Sequence, residues 1–186
     1  MIGRVLFIVL IVGMLPLSGC LTWASSDTSE PVDIIEEVPL PVFPEFNLKD
    51  HQNQSWSSNE MPYPYVAYFS ATWCTHCKPT LGALDAVIPN GSLLVFNKDG
   101  REGNDDMVKW HTDMQNELNR SISHPFIHAH EIAYDLDVLG IPVVVFVTSN
   151  GIKERWEGLH DDEDQIRSIW EDLGGCLLYT SPSPRD

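Results

Sequence analysis

Cations are scarce in this sequence: 11 Lys and Arg stand against 27 Asp and Glu, for a formal charge of −16. Nucleic acid is therefore not an expected partner, since phosphate binding needs clustered Lys and Arg and none occur. The same deficit favours solubility and keeps the chain off anionic lipid head groups. Long apolar runs are missing too. The stretch from Val5 to Leu17 is too short to cross about 30 Å of hydrocarbon comfortably at about 1.5 Å per residue, which argues against a retained transmembrane helix. Internal repeats are absent, and of the 4 cysteines only Cys74 and Cys77 form a Cys-x-x-Cys. A structural zinc site wants four ligands, usually with a second tight pair, and there is none.

The N-terminus has one cation at Arg4, then the apolar run, then Ser18 and Gly19 before Cys20. This is secretory signal architecture. The quartet Leu17-Ser18-Gly19-Cys20 resembles the lipobox of prokaryotic lipoproteins. That resemblance implies a signal peptide over residues 1–19 and lipidation of Cys20. It also implies export and anchoring to the outer face of the cytoplasmic membrane, each buried lipid methylene contributing about 0.8 kcal/mol. The alternative is an ordinary signal peptide that leaves Cys20 a free thiol. Residues 20–44, rich in Pro, Ser and acids, read as an extended, self-repelling tether. At the other end, Cys176 to Asp186 shares no periodicity with what precedes it. It resembles the in-frame translation of a sequencing adapter, and residues 176–186 are set aside as an artefact.

Two thiols then remain in the domain proper, Cys74 and Cys77, which pair with each other or with a partner protein. A bridge across so short a loop constrains the unfolded chain little, so a staple explains it poorly.

Residues 45–175 carry the periodic pattern. Glu45 to Ser58 alternates around a polar turn at Asp50 to Asn53, as in a hairpin. Tyr65 to Ala71 and Ser92 to Asn97 read as buried strands. Leu81, Leu84, Val87 and Ile88 fall at helical spacing, and Pro89-Asn90-Gly91 ends that helix. A second helix is expected from a cap at Asn104, with Met107, Trp110, Met114 and Leu118 inward. His130 to Gly140 reads as a short helix ending at its glycine. Pro142 to Thr148 and Ile152 to Gly158 flank Ser149-Asn150-Gly151 as a hairpin, and Asp161 to Leu173 closes as an acid-capped helix. The order is strand, helix, strand, helix, short helix, strand, strand, helix, which makes the class α/β.

The cysteine pair directly follows a buried strand and opens a helix. Cys74 is thus expected at a helix N-terminus, where free N–H groups and the dipole stabilise a thiolate. This is how such cysteines fall from a reference pKa near 8.5 to roughly 3.5 to 7.5. Cys77, one turn in, is expected to be more buried and to resolve a mixed disulfide.

Ser70-Ala71-Thr72-Trp73-Cys74 before the pair, Lys78 after it, and Val138 to Val147 with Gly140-Ile141-Pro142 resemble thioredoxin-family landmarks. The N-terminal hairpin and acidic tether are similar to the TlpA-like group of membrane-anchored thiol-disulfide oxidoreductases. The resemblance implies a three-layer fold with a central mixed sheet and an N-terminal β-hairpin. It implies exchange with protein thiols and disulfides through a redox-active Cys74–Cys77 pair and no other cofactor. It also implies a cis Ile141-Pro142 bond facing Cys74, with the Ile141 backbone free to receive a substrate strand, and a partly exposed Trp73 beside the thiolate. Two positions depart from the family pattern. Tyr68 stands where efficient reducing members carry a buried acid, which leaves the proton route of Cys77 open. Thr75-His76 fills the inter-cysteine positions, and a histidine before the second cysteine resembles oxidising and isomerising members. Family potentials run from about −270 to −120 mV, and His76 moves the expectation toward the oxidising end.

A metallochaperone is the rival class, with Cys74 and Cys77 joined by His124, His128 or His130 around zinc or copper. His128 and His130 would share a face only on an extended backbone.

Overall fold

A computed structural model describes residues 38–176. Cys20, with the leader and most of the tether, and the segment after Cys176 lie outside the described residues.

Strands β1 (Asn47–Lys49) and β2 (Ser55–Ser57) form the expected antiparallel hairpin, with Leu48 opposite Trp56. The Asp50 carboxylate builds its turn, accepting the Gln52 amide at 2.8 Å, the Gln54 amide at 2.9 Å and the Trp56 indole N–H at 2.8 Å. Asn53 closes the turn at φ 65°, a left-handed conformation that Asn tolerates.

The main sheet contains β3 (Tyr65–Ser70), β4 (Leu93–Asn97), β5 (Phe126–His128), β6 (Val143–Thr148) and β7 (Gly151–Glu157) in the order β5-β4-β3-β6-β7. β3 runs parallel to β4 and β4 to β5, while β6 and β7 are antiparallel to their neighbours. β3 and β4 are buried at every position, as expected for apolar strands covered on both faces.

Alternation along the strands divides the core in two. On one face Val66, Tyr68, Val95 and Phe126 meet helices α1 (Lys78–Val87), α2 (Asn104–Leu118) and α4 (Glu163–Asp172) through Leu84, Trp110 and Trp170. On the other, Ala67, Phe69, Phe96 and Val145 meet Phe43, Phe46 and helix α3 (His130–Asp135) through Ile132. Each buried Val, Leu, Ile or Phe among them contributes about 1.5–3 kcal/mol relative to exposure. This is the three-layer mixed-sheet fold with an N-terminal hairpin.

Four details differ from the sequence reading. β5 was not expected. The second helix takes Gly103 as its cap, with the Gly103 amide donating to Asp106 at 2.8 Å, so that Asn104 is the first helical residue. α3 ends at Asp135, ahead of Gly140, and the chain turns at Asp137 with φ 50°. Packing also begins before Glu45. Phe43 is buried with its ring 5.8 Å from Tyr65 and 6.4 Å from Phe96, and the Ile152 amide donates to the Pro41 carbonyl at 2.7 Å. The tether therefore joins the core at Pro41 to Phe43. Gly151, at φ 121°, permits that approach, since a Cβ there would lie 2.6 Å from the Pro41 oxygen.

Candidate active site

Cys74 and Cys77 are joined by a disulfide, with their Cα atoms 5.4 Å apart. After β3 the chain turns through Ala71-Thr72-Trp73, and Cys74 begins a single 3-10 turn, Thr75–Cys77, before α1 opens at Lys78 with Pro79 in its first turn. Proline fits there because its missing N–H would have had no intrahelical partner. The expectation that Cys74 opens the helix is thus refined: it caps a 3-10 turn that leads into the helix. Its amide donates to Ala71 O at 3.1 Å, and its carbonyl accepts the Cys77 amide at 3.3 Å. Cys77 is 2% exposed and Cys74 8%, so Cys74 is the sulfur more open to attack.

Of the sequence-predicted residues, Trp73, Cys74, Thr75, His76 and Ile141 line one open groove of about 380 Å³. Trp73 is 56% exposed and stands beside the disulfide. Thr75 and His76 are exposed, the Thr75 hydroxyl lying 3.4 Å from His76 Nδ1. The Ile141-Pro142 bond is cis. No backbone group among the described residues engages the Ile141 N–H or C=O. Pro142 is buried, and its carbonyl accepts the Gly158 amide at 2.9 Å.

Tyr68 lies behind the pair. It is fully buried, its hydroxyl donates to the Cys77 carbonyl at 2.7 Å, and burial pushes its phenol above the usual range. A phenol so placed fixes the Cys77 backbone and is not a base at neutral pH. The narrow cleft beside Cys77 is lined by Ser70, Thr72, Lys78 and apolar side chains, with no carboxylate.

Sequence reasoning missed a polar cluster at the end of β4. The Asn97 amide and the Thr72 hydroxyl both donate to the Glu102 carboxylate. Asp99 accepts the Trp73 indole N–H at 2.7 Å and the Arg101 side chain and amide. Hydrogen bonds from Arg101 hold the Asp99 carboxyl well below the usual range. Lys98 donates to the Val138 and Leu139 carbonyls at 2.7 and 2.8 Å, and shares the groove with Cys74. The only signal was the polar run Asn97 to Gly103 directly after a buried strand, which reads equally well as a turn.

The histidines of the rival reading do not join the cysteines. His124 lies 3.4 Å from Asp85, and His128 Nε2 is 3.2 Å from the Asp99 carbonyl, its ring stacked on His130. Among the described residues, no three His, Cys, Asp or Glu side chains gather as a metal site.

No family model matches the chain, and no curated protein matches it significantly. Solved structures do. A thio-disulfide isomerase from Thermus thermophilus superposes with TM-score 0.57 at 21% identity, covering 75% of this chain and 99% of its own. The exposed lipoprotein thioredoxin of Streptococcus pneumoniae gives 0.56 at 18%, covering 70% and 100%. A thioredoxin-family thiol:disulfide interchange protein from Chlorobium tepidum gives 0.58 at 19%, covering 74% and 98%. The fold is thioredoxin-like.

Proposed function

We propose that the protein is a thiol-disulfide oxidoreductase acting on protein thiols and disulfides. The carrying observation is the Cys74–Cys77 disulfide at an open groove that Trp73 and Ile141 also line, in a thioredoxin-like fold. In the reducing direction the Cys74 thiolate attacks a substrate disulfide, forming a mixed disulfide and releasing one substrate thiol. Cys77 then attacks Cys74 Sγ, releasing the second thiol and leaving the protein oxidised by two electrons. The oxidising direction is the reverse. His76, exposed beside Cys74, favours the reduced form whenever it is cationic.

Equilibration of the protein with defined glutathione ratios, read by thiol alkylation and intact mass, tests this. The expected result is one two-electron transition of Cys74 and Cys77 between about −270 and −120 mV. A pair that neither oxidises nor reduces across that window overturns the reading.

The lipobox-like quartet supports placing this activity on the outer face of the cytoplasmic membrane through Cys20. Mass spectrometry of the mature N-terminus should find a lipid on Cys20, and an unmodified Cys20 would contradict the anchor.

A further inference from the structure

The groove differs in charge from the rest of the molecule. In a chain with 27 acids against 11 Lys and Arg, its lining holds Lys98 and His76 and no acid, beside the apolar surfaces of Trp73, Leu139 and Ile141. The two acids that follow Lys98 in β4's trailing loop are already engaged. Asp99 is bonded to Trp73 and Arg101, and Glu102 to Thr72 and Asn97. Lys98 is held rather than free to swing: two of its N–H groups are fixed on the Val138 and Leu139 carbonyls. An ammonium has three donors, and the third has no partner among the described residues. The amine is therefore a positioned cation on the wall of the groove that contains Cys74. Leu139, 89% exposed at the rim, adds apolar surface next to it.

Resting on the exchange function above, we propose that Lys98 is a specificity residue. It selects an extended protein segment that carries a carboxylate side chain next to its reactive cysteine, with apolar residues for Trp73 and Leu139. The carboxylate accepts the free N–H of Lys98 as the segment lies along Ile141, which places the substrate sulfur at Cys74. Charge complementarity of this kind sets partner choice and weakens with salt.

The test uses full-length protein carrying Cys176→Ser, which removes the exposed free thiol, in neutral detergent, reduced with dithiothreitol and desalted. It is reacted with three symmetric peptide disulfides identical except for Glu, Gln or Lys beside the cysteine. Cys74 forms the mixed disulfide as the peptide disulfide breaks and one peptide leaves as thiol. Cys77 then releases the second, so one protein dithiol is oxidised for each peptide disulfide reduced. Each rate is divided by that of the same peptide with 2-mercaptoethanol, which removes intrinsic differences in sulfur reactivity.

The expected result is that the Glu peptide exceeds the Lys peptide by about tenfold at low salt, with Gln between. The ratio should shrink in high salt, fall to near one in Lys98→Gln and be retained in Lys98→Arg. Equal normalised rates in the protein with Lys98 intact, or a Lys98→Gln variant that slows all three peptides alike with the ratio unchanged, overturn the specificity role and leave the exchange function standing. Absence of exchange with every peptide overturns both.

Discussion

The Asp99 carboxylate accepts bonds from the Arg101 side chain and the Arg101 amide, which chiefly hold its pKa down, and from the Trp73 indole. A carboxyl depressed in the folded state adds stability that is present above its unfolded value near pH 4 and is lost as pH falls through the folded value. Arg101 is exposed, so water screens its share. Asp99→Asn is expected to lower stability at pH 7 on the order of 1 kcal/mol, measured by urea denaturation. The gap between variant and parent should narrow steadily below about pH 4. A gap independent of pH would show that the charge of Asp99 is not what matters. Trp73 emission should shift in the same variant, because Asn offers one acceptor oxygen where the carboxylate offered two, so the indole and Arg101 compete for it.

At the scale of elements, the hairpin is fastened to the sheet at one corner. The His51 amide donates to the Phe126 carbonyl at 2.9 Å, and the Phe126 amide donates to His51 Nδ1 at 3.2 Å. Asp50 holds that corner by satisfying three donors at once. Asp50→Ala strands two amides and an indole, and should cost about 1–3 kcal/mol. The check is a lower urea midpoint with unchanged slope; a midpoint within error of the parent would show that water replaces the carboxylate.

This hairpin was legible in sequence because its alternation and polar turn are local signals. So were β3, β4, α1, α2 and α4, whose apolar spacing is sustained over several residues. β5 was not. It is three residues long, follows Pro125, and owes its place to parallel pairing with β4 rather than to any alternation of its own. The same limit applies in the site. The cysteines, Trp73, His76 and Ile141-Pro142 are adjacent words in two motifs. The engagement of Lys98 with Val138 and Leu139 spans 40 and 41 residues, and the Asp99 bond to Trp73 spans 26, distances at which only tertiary structure decides who meets whom.

Across the whole molecule, acid stability should turn on His124. It is 1% exposed, Nε2 lies 3.4 Å from Asp85, and Nδ1 has no hydrogen-bond partner among the described residues. Burial, with Arg120 nearby, pushes its pKa down to about 4. Between there and its unfolded value near 6.5 the unfolded chain binds the proton and the folded chain does not, so stability falls as pH falls, by roughly 3 kcal/mol over that interval. His124→Gln should remove most of that slope between pH 6.5 and 4, as read by urea midpoints. An unchanged slope would assign it to other groups.

Exchange through this site requires Cys74 as nucleophile and Cys77 as resolving thiol, and trapping tests that most directly. In a Cys176→Ser background, to exclude the exposed free thiol, Cys77→Ala incubated with a disulfide-bonded protein should accumulate a reductant-sensitive one-to-one adduct that peptide mass spectrometry maps to Cys74. Cys74→Ala should accumulate none. Equal adducts in both variants, or none in either, would contradict it.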